Sequence, residues 1–83
     1  MVNLKERQVV IVLSNKGRRV LHDAAITLPD SPTVVFYVQE GDEHGLWVWF
    51  RREDGDRLLL IRWEFILALE VPLGEVRVEG LVH

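Results

Sequence analysis

"LWVWFRREDGDRLLLIRW", Leu46 to Trp63, sets two tryptophans one residue apart, then a charged tip, then a nearly unbroken apolar run that closes on a third tryptophan. Alternate residues of a strand point to opposite faces, so Trp47 and Trp49 share one side of a hairpin and Leu46, Val48 and Phe50 share the other. The Asp54-Gly55 dipeptide favours a two-residue type I′ turn, for which directly opposed residue numbers sum to 109. On that register Phe50 faces Leu59, Val48 faces Ile61 and Leu46 faces Trp63. On the other side Trp49 faces Leu60, Trp47 faces Arg62 and Arg51 faces Leu58. A slip of one residue would place Arg62 beside Val48 and Phe50 and bury its charge, so the pattern favours the short turn. Glu53 opposite Asp56 is the mild cost of this register.

The preceding segment "TVVFYVQE", Thr33 to Glu40, has strong strand composition, and "GDEHG" joins it to the hairpin as a five-residue loop. A symmetric loop adds Phe36 and Val38 to the apolar face and Val35, Tyr37 and Gln39 to the mixed one. The expected core is Phe36, Val48, Phe50, Leu59 and Ile61. The mixed face then holds Val35, Tyr37, Trp47, Trp49, Leu58 and Leu60, flanked by Arg51, Arg62 and Gln39. So much contiguous apolar surface marks an interaction site unless something covers it. The candidate interface residues are Tyr37, Trp47, Trp49, Arg51, Leu60 and Arg62, because indole and guanidinium groups side by side are typical of interface hot spots. The cover is the rest of the monomer, a second copy of the chain, or a ligand or foreign protein; these three alternatives stay open at this level.

Upstream, "QVVIVL" (Gln8 to Leu13) reads as a strand, "SNKGRR" as a turn with Gly17 at positive φ, and "RVLHDAAITL" as the return strand of a first hairpin. "PDSP" closes that segment as a loop. Downstream, Arg57 to Val71 as one continuous strand would run about 50 Å, far beyond the usual ~17–20 Å. A bend near Trp63-Glu64 followed by a strand "FILALEV" is expected, with a short helix over about 63–71 as the alternative. "PLGE" reads as a turn and "VRVEG" as a last, half-exposed strand.

"VVIVLSNKGRRVLHDAAI" resembles the strand, glycine turn and basic return strand that open an Sm-like domain. "LLLIRWEFILALEV" is similar to the strand, one-turn kink and strand that close Sm-like and SH3-like small barrels. The resemblance spans roughly residues 8 to 71. It implies a mainly β fold, a small, strongly bent antiparallel sheet or barrel of five to seven strands, with an α+β arrangement as the alternative if 63–71 is helical. The Asp-x-x-x-Asn loop of the Sm family and the Arg-Gly of its last turn have no counterparts here, so RNA contacts are not implied.

Composition bounds the rest. A chain of 83 residues, 48% hydrophobic and 28% charged, is expected to fold as one domain over 1–83. Without cysteine it has neither disulfides nor thiolate metal sites, and a small core gains from a partner chain. "MVNLKERQ" has no apolar leader region and the longest apolar stretch is broken by Arg62, Glu64 and Glu70, so a cytoplasmic protein with no membrane contact is expected. A net charge of −3 with interleaved signs argues against sequence-independent nucleic-acid binding.

Candidate chemistry is sparse. His22 and Asp23, adjacent in a strand, would point to opposite faces, and no Ser or Cys nucleophile stands nearby. Asp42, Glu43 and His44 could ligate a metal but have no second ligand cluster at recognisable spacing. Glu53, Asp54 and Asp56 read as solubilising charges at a hairpin tip. No catalytic residue, cofactor or metal is expected. The expected function is that of a small non-enzymatic interaction module, a homo-oligomer with a dimer preferred or a binder of an unidentified protein. The alternative is a binder of single-stranded nucleic acid in which Tyr37, Trp47 and Trp49 stack on bases while Arg51 and Arg62 meet phosphates.

Overall fold

The computed structural model describes residues 3–72. In chain order it contains β1 (Arg7–Leu13), α1 (Asn15–Asp23), β2 (Thr33–Gly41), β3 (Gly45–Arg52), β4 (Gly55–Arg62), a 3₁₀ turn (Trp63–Phe65) and β5 (Ile66–Glu70). The five strands form one antiparallel sheet in the order β4-β3-β2-β1-β5. The fold is mainly β with one short helix. The strand expected over "VRVEG" lies outside the described residues.

Strand order and connection length together dictate the shape. β4 and β5 stand at opposite ends of the sheet, four strand spacings apart, which is about 19 Å if the sheet were flat. Only Trp63–Phe65 link them, and three residues of 3₁₀ helix advance roughly 6 Å. The sheet must therefore roll until its two edges approach. A bulge between Val12 and Leu13 on the β1–β5 side and another between Val38 and Glu40 on the β2–β3 side supply local bends. The expected bend at Trp63-Glu64 is this turn; the alternative helix over 63–71 is not formed, since residues 66–70 are strand. Alternating β1 side chains and the apolar run of β5 fit a continuation as strand better than a helix with no polar stripe.

Rolling encloses one face. Val9, Ile11, Val34, Phe36, Val38, Leu46, Val48 and Ile61 fill it, joined by Leu13, by Leu21 from α1 and by Ile26 from the loop that follows. Phe50 and Leu59 pack against this cluster half-buried, so Phe36, Val48 and Ile61 form the centre and the other two expected core residues form its margin.

The first hairpin expected from "SNKGRRVLHD" is not formed; that segment is α1. Ser14 is its N-cap, with extended backbone and a hydroxyl that accepts the Gly17 N–H at 3.0 Å. Gly17 is not a turn glycine. It is buried in the helix where a Cβ would lie 2.8 Å from Phe65 Cβ, so the missing side chain lets α1 sit on the 3₁₀ turn. The Ser14 N–H donates to Phe65 O at 2.8 Å and locks the same junction. At the other end Ile26 N–H donates to Leu21 O and Ala25 N–H to His22 O, the paired bonds of a Schellman motif, with Ala25 at φ 62° in the position that usually holds glycine. Buried Leu21 and Ile26 make its apolar contact. The return strand that carried half of the Sm-like resemblance is thus replaced by a helix, while the strand, one-turn kink and strand at 55–70 are present.

The β3–β4 register also differs from expectation. Trp49 pairs with Leu58, Trp47 with Leu60 and Arg52 with Gly55, so opposed numbers sum to 107, two fewer than 109. The turn residues are Glu53 and Asp54, which keep negative φ, and Gly55 follows at φ 135°. Electrostatics favours this arrangement: Arg51 now meets Asp56 at 3.0 Å and Arg57 meets Asp54 at 2.7 Å, in place of Glu53 against Asp56. A shift of two preserves face parity, so the composition of each face is unchanged while every partner is renewed. Leu46 consequently faces Ile61 instead of Trp63.

Both backbone specialisations of α1 favour glycine over alanine. Ala25→Gly removes left-handed strain and should raise stability by about 0.5–1 kcal/mol in urea denaturation. Gly17→Ala should lower it by about 1 kcal/mol, because overlap with Phe65 outweighs the gain of about 1 kcal/mol that alanine brings to an open helix. Stabilisation by Gly17→Ala would show that the helix does not rest on the 3₁₀ turn.

Candidate functional site: the aromatic outer face

The face turned away from the core carries cross-strand rows. Gln8, Tyr37, Trp49 and Leu58 stand opposite one another across β1, β2, β3 and β4, and Val10 and Val35 make a neighbouring pair. Trp47 and Leu60 make the row on the other side. Val35 is 58% exposed, Leu58 46%, Tyr37 43% and Trp49 40%, and Trp47 and Leu60 are half-buried. Among the described residues, neither α1 nor β5 covers this face.

Two of the indoles are fixed by hydrogen bonds at their polar ends. Trp49 Nε1 donates to Gln39 Oε1 at 2.9 Å and Trp47 Nε1 donates to Asp42 Oδ2 at 2.9 Å. Asp42 is also the keystone of the β2–β3 loop: its Oδ1 accepts the backbone N–H of His44 at 2.8 Å and of Gly45 at 3.2 Å, while its carbonyl accepts Trp63 Nε1 at 2.7 Å. A Cβ on Gly45 would fall 2.1 Å from Ile61 O, so glycine permits β4 to pass at that point. The rings are thereby held by their N–H groups with apolar surface left outward, an amphipathic placement suited to recognition.

The Trp47 N–H bond first, then the His44 backbone N–H, hold the Asp42 carboxyl below the ordinary Asp value of about 3.9; partial desolvation opposes them, and the Gly45 N–H and the His44 charge add to them. Asp42 was legible only as a metal-ligand candidate, and its part in anchoring two indoles is a three-dimensional fact. No group of three His, Asp or Glu side chains in metal-binding geometry occurs among the described residues.

The flanking arginines are already engaged. Arg51 Nε lies 3.0 Å from Asp56 Oδ1 and Arg62 Nε lies 3.0 Å from Glu64 Oε1, all on the surface. The structure thus brings Tyr37, Trp47, Trp49, Leu60 and Arg51 onto one face, with Arg62 at the end of β4. His22 and Asp23 are not on a strand with opposite orientations; they end α1 with Nδ1 and Oδ1 3.7 Å apart, and both are open to solvent. A cleft of about 560 Å³ beside them is lined by Arg18, His22, Ile26, Leu28 and Asp30 among others. The Arg18 guanidinium bonds the Ser31 carbonyl, so the cleft's cation holds its own loop. No helix among the described residues is long and apolar enough to cross a membrane. Compared with protein-family models, curated proteins and solved structures, the chain shows no significant match.

Asp42 generates a pH prediction. A carboxyl with a lowered folded pKa stabilises the fold above its unfolded value, and that stabilisation is lost as pH falls from about 3.9 through the folded value. The denaturant midpoint of the native chain should therefore drop more steeply below pH ~4 than that of Asp42→Asn, with a matching change in tryptophan emission. Parallel profiles for the two proteins would contradict the anchoring role.

Proposed function

We propose that the chain is a small, non-enzymatic, cytoplasmic interaction module, built on a bent SH3-like or Sm-like sheet, whose aromatic outer face docks on a second copy of itself. The observation that carries the reading is the exposed row of Tyr37, Trp49 and Leu58 with Val35 beside it. Covering a part-exposed ring removes on the order of 2 kcal/mol of unfavourable hydration. Four such side chains on each of two copies supply roughly 16 kcal/mol, which exceeds a mid-range association cost of about 8 kcal/mol (range ~4–15) by about 8 kcal/mol. The expected affinity is accordingly moderate, and self-association belongs in the micromolar range. A two-fold arrangement suits a single patch, because a self-complementary surface covers itself and leaves no part of that face open.

Single-stranded nucleic acid fits the face less well. The two arginines that would meet phosphates each hold a carboxylate, and those carboxylates would repel the strand.

Sedimentation equilibrium at micromolar concentration tests the reading. The native chain should sediment heavier than a monomer, and Trp49→Glu, which places a charge at the centre of the face while sparing the core side of β3, should weaken association at least tenfold with the strand signature of the far-ultraviolet spectrum kept. A clean monomer across the concentration range would overturn the proposal.

A further inference from the structure

The two free edges of the sheet are unlike. β5 is five residues long and bulged where it meets Leu13, two of the devices that keep an edge from pairing with another chain. β4 is eight residues long, pairs with β3 in an unbroken register without proline or bulge, and carries Leu58, Leu59, Leu60 and Ile61 in a row between the charged Asp56 and Arg57 at one end and Arg62 at the other. Among the described residues β4 has β3 as its one neighbour, so the N–H and C=O groups of its outer edge have no strand to pair with.

We propose that β4 pairs antiparallel with β4 of a second copy about a two-fold axis at Leu59, joining two sheets edge to edge. This contact is separate from the face-to-face docking proposed above and uses backbone groups that the face does not present. The register follows from charge. With Leu59 opposite Leu59, opposed numbers sum to 118, which places Leu58 opposite Leu60 and Asp56 opposite Arg62, each twice by symmetry. All four side chains lie on the outer face, since Trp49 pairs with Leu58 and Arg51 with Asp56 there. Each end of the seam becomes a row of alternating sign: Arg51 and Asp56 of one copy, then Arg62 and Glu64 of the other, extending ion pairs already present within the chain. On the core-side face the exposed Arg57 comes opposite Ile61, which is already buried within its own chain. A register two lower sets Asp56 against Leu60, and one two higher sets Arg62 against Leu58, so charge complementarity selects the central one. Pairing with β5 of another copy is disfavoured by the bulge and the short length of β5, and being heterologous it need not close.

Charge reversal tests this contact. Asp56→Arg places like charges opposite Arg62, and Arg62→Asp places them opposite Asp56; both positions are on the surface, so folding is retained. By sedimentation velocity each single variant should weaken self-association about tenfold, through two symmetric like-charge contacts. The double variant D56R/R62D should restore it. The same series in the Trp49→Glu background separates the two contacts: the loss-and-rescue pattern persists there even if face docking is abolished or was never present. Single variants that associate as the native chain does, or a double variant no better than the singles, would overturn the β4 pairing and leave the edge to another segment of the same chain or to solvent.

Discussion

Three residues joining strands at opposite ends of a five-stranded sheet are the constraint from which the rest of the structure follows. Trp63–Phe65 cannot bridge a flat sheet, so the sheet rolls, and rolling decides which face becomes interior. The junction is held by a small set of contacts. Ser14 N–H donates to Phe65 O, Gly17 gives α1 the room to lie on Phe65, and the Ser14 hydroxyl caps the helix that does so. At the other end of the same turn Trp63 donates its backbone N–H to His44 O and its indole N–H to Asp42 O. The turn is thus tied both to the β1–α1 junction and to the β2–β3 loop, the two places between which the sheet must close.

Once one face is sealed, the chemistry of the other is set by alternation alone. Every residue of β3 that contributes to the core forces its neighbour outward, so the interior Leu46 and Val48 imply an exterior Trp47 and Trp49. A polar exterior would have served folding equally well. The chain instead spends its largest rings there and anchors them by their N–H groups to Gln39 and Asp42. That arrangement keeps the rings rigid at low entropic cost on binding, which is the property that makes tryptophan effective at interfaces.

The meander and the two faces were legible in the sequence because parity is robust: the turn residues were misplaced, yet a register error of two leaves every side chain on its own face. The true pairing depended on Arg51 meeting Asp56 and Arg57 meeting Asp54, short-range ion pairs that dipeptide turn preferences do not weigh. α1 is hidden in the sequence because Gly17 and the basic residues around it resemble a turn. Its helical role depends on a contact with Phe65, some fifty residues away, and the apolar side of a nine-residue helix, Gly17, Val20 and Leu21 at helical spacing, spans too few turns to stand out. Ser14 adds a second local signal, an N-cap in front of a segment free of proline. Of the site residues, Tyr37, Trp47, Trp49 and Leu60 follow from alternation, whereas the partners of Arg51 and Arg62 and the doubled role of Asp42 require the fold.

Under the proposed self-docking, one face is sealed within the chain and the aromatic face is open until another copy covers it. The three indole N–H resonances of a ¹⁵N-labelled sample, recorded with a soluble paramagnetic relaxation agent at low and at high protein concentration, test it directly. Trp49 should be strongly broadened in the dilute sample and protected in the concentrated one, while Trp63, away from the face, should respond alike in both. Protection of Trp49 at every concentration would show that the chain covers its own aromatic face, and would contradict docking on a second copy.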